Sequence, residues 1–267
     1  MDRLKGKVAF LTGAGAGIAK ATARAFVRES ARVALFEISR ETGERAAREI
    51  TEAGGEAIFV HTDVTDDASV AAAVARTIER FGRLDVVMNC AGGSLAQDIN
   101  VHAMDLDAWH KTISLNLLHP FLCCRHGIPH LIAAGGGSII NFASHLGQIG
   151  SERPAYAAAK GGIVSFTKTL AALYALQGIR ANAIAPGSIR TERWLKRRGN
   201  DAAVDRSDPR YVERATMHAN YPFSTGDPDD IAAVAVFLAS DESRMLTGIT
   251  INADGGRSSY LKVGGHS

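Results

Sequence analysis

A chain of 267 residues, 46% of them hydrophobic, is long enough to bury a full core and short enough to remain one α/β domain. Its 30 basic and 28 acidic residues leave a formal charge of +2, which offers nucleic acid or an anionic membrane no long-range field and favours a small-molecule partner. Its cysteines, Cys90 and the adjacent Cys123 and Cys124, have neither a disulfide framework nor a zinc spacing, and the histidines show no ligand pattern. Reduced, core-packed thiols and no catalytic metal are therefore expected.

Met1–Lys7 leads straight into an apolar strand without a signal-peptide h-region, and the longest apolar stretches, such as Ile231 to Ala239, are too short to span a bilayer. A cytoplasmic protein without a membrane partner is the expectation. Short apolar runs at Lys7–Thr12, Arg32–Glu37, Ala57–His61, Leu84–Asn89, Ser138–Phe142, Arg180–Ala185 and Thr250–Asn252 read as seven strands. Between them, helical patterns cover about 17–29, 41–53, 66–81, 105–134, 154–178 and 228–240, with Thr65, Asp107 and Asp227 as candidate caps. The alternation predicts a Rossmann-like, doubly wound, mainly parallel sheet with helices on both faces, whose ligands bind beyond the carboxyl ends of the strands. Residues 188–226 break the rhythm with scattered charges, Trp194, Tyr211 and turn signals at Gly199-Asn200, Ser207-Asp-Pro209 and Gly226-Asp-Pro228. Such a segment at the ligand edge is either a lid over the substrate or a variable surface insertion.

The first strand runs through Thr12-Gly13-Ala14-Gly15-Ala16-Gly17-Ile18-Ala19 into a helix. Glycines let the backbone approach a pyrophosphate, and the helix start supplies unpaired N–H groups and a positive dipole end. Gly13 and Gly15 are followed by Ile18 where G-x-G-x-x-G has its third glycine, so that fingerprint is not met literally. Glu37 ends the second strand twenty residues after Gly17, where a carboxylate accepts from adenosine ribose hydroxyls and repels a 2′-phosphate. NAD is therefore favoured over NADP, with Arg40 the one nearby group that could meet a phosphate.

Tyr156-Ala-Ala-Ala-Lys160 places a phenol and an ammonium four residues apart, on one face of a helix. An adjacent cation lowers a phenol's pKa from about 10 by roughly 1 to 3 units, toward the range of a working acid/base.

Together these residues resemble the short-chain dehydrogenase/reductase family, in its members of about 250 residues, and the resemblance runs from Lys7 to Gly256. The family's T-G-x-x-x-G-x-G falls on Thr12, Gly13, Gly17 and Ala19, with alanine in place of the last glycine. Asp63-Val64 is similar to the pair beside the adenine, and Asn89-Cys90-Ala91-Gly92 to the N-N-A-G segment, with Cys90 replacing an asparagine. Asn116, Ser144, Tyr156 and Lys160 match the four catalytic positions. Pro186-Gly187-Ser188-Ile189-Arg190-Thr191 matches the P-G-x-x-x-T beside the nicotinamide, and Asp254-Gly255-Gly256 the closing motif. Ser144 precedes Tyr156 by twelve residues, one fewer than the family's spacing leads us to expect.

The resemblance implies hydride transfer between a nicotinamide and a secondary alcohol or carbonyl. Tyr156 would be the acid/base and Ser144 would hydrogen-bond the substrate oxygen. Lys160 would lower the phenol's pKa and bind the nicotinamide ribose, and Asn116 would link Lys160 to solvent. The resemblance also implies a homotetramer or homodimer built on the helices near 105–134 and 154–178. A reductase of the 3-oxoacyl type is the alternative reading. A non-catalytic nucleotide sensor fits less well, because all four catalytic positions are filled.

Ser94, Leu95, His145, Leu146, Gln148, Ile149 and Trp194 are the expected substrate-pocket residues. Between Arg190 and Arg214, eight basic residues face five acidic ones. That excess fits either an anionic substrate held by Arg193 or Lys196, or simply solvated helix faces. The tail after Gly256 either reaches a neighbouring subunit or is disordered.

Overall fold

A computed structural model describes residues 2–199, 223 and 225–259, with the backbone alone at 197–199. Tyr211, the turn at Ser207–Pro209, most of the basic segment and the end of the tail lie outside the described residues.

The chain runs β1 (Val8–Thr12), α1 (Gly17–Arg28), β2 (Arg32–Glu37), α2 (Arg40–Glu52), β3 (Glu56–His61), α3 (Asp67–Phe81) and β4 (Val86–Asn89). It continues through α4 (Leu106–Ile113), α5 (His119–Ala133), β5 (Gly137–Phe142), α6 (Pro154–Tyr174), β6 (Ile179–Pro186), β7 (Ser188–Ile189) and α7 (Glu192–Gly199). The final elements are β8 (Thr225–Gly226), α8 (Pro228–Ala239) and β9 (Thr250–Ala253). Seven strands form one parallel sheet in the order β3-β2-β1-β4-β5-β6-β9. The order reverses between β1 and β4, which opens a crevice at their carboxyl ends.

Both faces of this sheet are covered, which explains why its strands read as continuous apolar runs rather than alternating ones. Along β1, Ala9 and Leu11 point into one core with Ala23 and Phe26 of α1, Ile50 of α2 and Ile231 and Ala235 of α8. Val8 and Phe10 point into the other, with Val70 and Val74 of α3, Leu122 and Ile128 of α5 and Leu170 of α6. Phe10 stacks on Phe36 from β2 at 4.6 Å between ring centroids, fixing neighbouring strands in that second core.

Three local expectations change. Asp66, not Thr65, caps α3 by accepting from Ser69 N–H at 2.6 Å, while the Thr65 hydroxyl turns to Asp63. Asp105 occupies the cap position of α4, leaving Asp107 in the first turn. The helix expected over 105–134 is interrupted at Ser114–Leu118 by a wide π-turn in which His119 N–H bonds to Ser114 O. Two polar side chains, Asn116 and His119, turn into the protein at that place. Residues 188–226 also contain the short parallel pair β7-β8, not anticipated from the sequence. Asp227 does open α8, with Pro228 at its first position and Asp230 accepting the Asp227 N–H. Among the described residues no helix is long and apolar enough to cross a membrane.

Candidate active site

Two adjoining cavities open at the carboxyl ends of β1, β4 and β5, joined through Ile18, Cys90, Gly92, Thr191 and Arg193, which line both. The larger, about 520 Å3, runs from the glycine turn past Glu37 and Ile38 to Asp63 and Val64. The smaller, about 320 Å3, is enclosed by Ser144, His145, Leu146, Tyr156, Lys160, Pro186, Gly187 and Trp194. Both volumes lie in the range of small-molecule sites, about 300–1,000 Å3.

The glycine turn approaches the β4 loop directly. Gly13 has φ +70°, and a Cβ there would stand 3.0 Å from Ala91 Cα. Below the turn, the Thr12 hydroxyl accepts from Cys90 N–H and Ala91 N–H, each at 3.0 Å, and meets His119 Nε2 at 3.2 Å. With its oxygen so engaged, Thr12 donates its proton to Nε2, and His119 Nδ1–H donates to Leu115 O at 2.7 Å. Burial pushes the His119 pKa down to about 3, so the ring is neutral and joins β1, the β4 loop and the π-turn.

At the far end, Glu37 is fixed by two backbone donors: Oε2 accepts from Gly15 N–H and Oε1 from Ser39 N–H, both at 3.1 Å. Asp63 is held in a tight turn by Thr65, whose N–H and hydroxyl both donate to Oδ1. The N-terminal donor of α1, Gly17 N–H, is taken by Glu192 Oε2 at 3.0 Å. The next residue, Arg193, crosses to the opposite wall and donates to Gly92 O at 3.4 Å and Ser94 O at 2.6 Å. The start of α7 thus straps across the junction of the cavities.

In the smaller cavity Lys160 is 3% exposed and donates from Nζ to Phe142 O, at the end of β5, at 2.7 Å. Its Nζ lies 5.7 Å from the centroid of the Tyr156 ring. Burial lowers the lysine pKa from 10.5 to about 8. Ser144 Oγ accepts from Leu146 N–H at 3.2 Å and opens a short 3-10 turn, His145–Gly147. Gly147 lets that turn press on α6, since a Cβ there would meet Lys160 C at 2.6 Å. This close packing absorbs the short Ser144–Tyr156 interval and brings both residues to one cavity. Asn116 is buried, with Oδ1 accepting from Gly93 N–H at 2.9 Å and Nδ2 donating to Gly93 O and Thr112 O. Its side chain therefore fixes the β4 loop.

His145 Nδ1 bonds to Pro186 O at 3.1 Å, and burial lowers its pKa. Trp194 closes the cavity from α7 and donates from Nε1 to Ser188 Oγ at 3.0 Å. Gln148 departs from expectation: it is exposed and donates to Asn252 Oδ1 at 2.8 Å, outside the cavity. Asn89 also lies behind the cavity wall, donating to Asn141 Oδ1 at 2.8 Å. Cys90 is half-buried and lines both cavities, whereas Cys123 and Cys124 are packed in the core.

Residues 13–258 match the family profile described as enoyl-(acyl carrier protein) reductase. A putative short-chain dehydrogenase/reductase from Burkholderia xenovorans superposes with a TM-score of 0.89 at 34% identity, covering 97% of this chain and 99% of that one. The chain belongs to the short-chain dehydrogenase/reductase family. A solved structure of levodione reductase gives a TM-score of 0.87 at 33% identity over 96% of this chain and 100% of the other. Among curated relatives, cis-4-hydroxycyclohexanecarboxylate dehydrogenase of Sinomonas cyclohexanicum is 37% identical, covering 94% of this chain and 96% of that protein. A 2,5-dichloro-2,5-cyclohexadiene-1,4-diol dehydrogenase from Sphingobium indicum is 34% identical, with coverage of 96% and 97%.

This short-chain dehydrogenase/reductase is an oxidoreductase of a family that uses nicotinamide cofactors, and the glycine turn at its larger cavity suits the diphosphate of one. The close approach at Gly13 leaves room only for backbone, and Gly17 N–H already holds an anionic oxygen from Glu192. Among the described residues no group of three or more His, Cys, Asp or Glu forms a metal cluster.

Proposed function

We propose that the protein is an NAD-dependent dehydrogenase of cyclic secondary alcohols, with Tyr156 as its acid/base. The observation that carries this reading is the Tyr156–Lys160 pair with Ser144 in one cavity, directly beside the larger one at the glycine turn. The ring preference rests on the two curated relatives, both named for hydroxylated six-membered rings. A carboxylate on that ring is favoured by Arg193 in the cavity wall.

In oxidation, the Tyr156 phenolate takes the alcohol proton as the carbinol carbon releases hydride and becomes a carbonyl. The bound nicotinamide supplies the hydride acceptor. Ser144 donates to the substrate oxygen, and Lys160 keeps the phenol acidic and would hold the nicotinamide ribose when the cofactor is bound. Asn116 and Arg193 hold the β4 loop that separates the two cavities. Reduction of a carbonyl by the same residues is the second reading, favoured by the similar protein named levodione reductase.

The reading is tested by NADH formation with ring-borne and open-chain secondary alcohols, each with and without a carboxylate. Faster turnover of open-chain neutral alcohols would overturn the substrate assignment. For the cofactor, Glu37 lines the larger cavity at the end of β2, where it would accept from adenosine ribose hydroxyls, and Glu37→Ala is expected to weaken NAD and relax discrimination against NADP. An unchanged ratio of the two affinities would remove the argument for NAD. Glu192 competes for the pyrophosphate's donor at Gly17. Glu192→Ala is therefore expected to tighten NAD binding by up to about tenfold, the value of one displaced charged hydrogen bond at a wet site. Titration of the free enzyme checks this, and weaker binding would contradict it.

A further inference from the structure

We propose that Asp98, in the loop after β4, is a positioning residue for Tyr156. This inference rests on the reading of Tyr156 as the acid/base.

The N-terminus of α6 leaves a short list of backbone donors without helical partners. Pro154 has no N–H, and Ala157 N–H bonds to Arg153 O at 2.8 Å. The residue at the usual cap position, Arg153, makes no side-chain cap bond. The two remaining donors, Ala155 N–H and Tyr156 N–H, both go to Asp98: Oδ1 accepts from Ala155 at 3.0 Å and Oδ2 from Tyr156 at 2.9 Å. Asp98 is fully buried, and no salt bridge is formed to its carboxylate among the described residues. Its charge is met by these two amides and by the positive end of α6.

The tie is returned from the other side. Arg153 Nη1 donates to Asp98 O at 2.8 Å, and to Leu95 O and Ala96 O at 3.3 and 3.4 Å. Five hydrogen bonds thus join the start of the catalytic helix to a loop more than fifty residues earlier. That loop carries Ser94 in the wall of the smaller cavity. The bond to Tyr156 fixes the backbone from which the phenol projects, so Asp98 sets the distance between the phenol and the opposite wall. The Arg153 guanidinium has no acceptor with which to cap the helix itself, and a local serine or aspartate cap would satisfy the same amides but leave the loop untied.

The test compares Asp98→Ala, Asp98→Asn and Arg153→Lys with wild type, measuring kcat and KM for the alcohol, NAD affinity and thermal stability. Misplacing a reacting group by about 1 Å can cost about 100-fold, so kcat of Asp98→Ala should fall between about 10- and 100-fold with a raised alcohol KM. NAD affinity should stay within about twofold, because Asp98 contacts no lining residue of the larger cavity. Asp98→Asn keeps one acceptor oxygen and should recover part of kcat. Arg153→Lys, which loses the fork but leaves the Asp98 cap, should raise KM alone. Should Asp98→Ala fail to fold, the other two variants carry the same comparison. Lowered stability with unchanged kcat and KM would reduce Asp98 to a structural cap and overturn the proposal, as would parallel loss of NAD affinity and kcat. Failure of the underlying reading looks different, since a Tyr156→Phe enzyme would then turn over normally whatever happens at Asp98.

Discussion

Replacing Tyr156 with Phe is expected to lower kcat by at least about 100-fold, the usual contribution of a positioned acid/base, while NAD affinity changes little. Phenylalanine keeps the ring that lies against Lys160 and loses only the hydroxyl. The packing of α6 and the shape of the cavity should therefore survive. The rival base in the same cavity is His145. Its Nδ1 is committed to Pro186 O and its pKa is lowered by burial, so it is neutral at neutral pH and fixed in orientation. Steady-state kinetics with an NAD titration of the same sample checks the assignment. A folded Tyr156→Phe enzyme with near-normal turnover would move the proton to His145, and one that no longer binds NAD would make Tyr156 a cofactor residue first.

Lys160→Ala should be the next most damaging change, and its signature is in pH. Burial lowers the lysine pKa from 10.5 to about 8, so in the free enzyme its charge is present below that value and fades above it. Alcohol oxidation should gain as the phenol ionises and then lose support as Lys160 deprotonates, giving wild type an alkaline limb with a midpoint near 8. Without the ammonium, the phenol ionises near its ordinary value of about 10, so the variant's remaining activity should rise only there.

The same shift acts on stability with a definite sign. Between about 8 and 10.5 the folded protein has released a proton that the unfolded chain still holds. Wild-type stability should therefore rise with pH across that window relative to Lys160→Met, which has no proton to lose. A Lys160→Ala profile parallel to wild type would remove the ammonium from the proton chemistry.

Much of this was legible because the sheet is buried on both faces, so each strand is a bounded apolar run that stands out between amphipathic helices. The predicted Arg32–Glu37 strand is reproduced without change, five others differ by one or two residues at one end, and Arg180–Ala185 is extended by one residue at each end. Glycines at close backbone approaches and the four-residue Tyr–Lys interval are local patterns, and they placed Gly13, Gly17, Tyr156 and Lys160 at the joined cavities. Contacts between distant segments left no such pattern. Asp98 is one acidic residue in a polar loop, and its role depends on where α6 begins. His119 reads as an ordinary residue of an apolar helix, and only the π-turn aims it at Thr12. Gln148 follows Ser144 closely enough to suggest the pocket, yet the tight turn at Gly147 carries it round to Asn252. Glu192 at Gly17 joins residues far apart in the chain and could not be read from either segment alone.

The most direct measurement is NADH absorbance on adding NAD and a ring-borne hydroxycarboxylate to wild type and Tyr156→Phe side by side. The account predicts steady NADH formation by wild type, faster than with NADP, and almost none by the variant. Equal rates from the two proteins, or no NADH from a wild type shown to bind NAD, would contradict it.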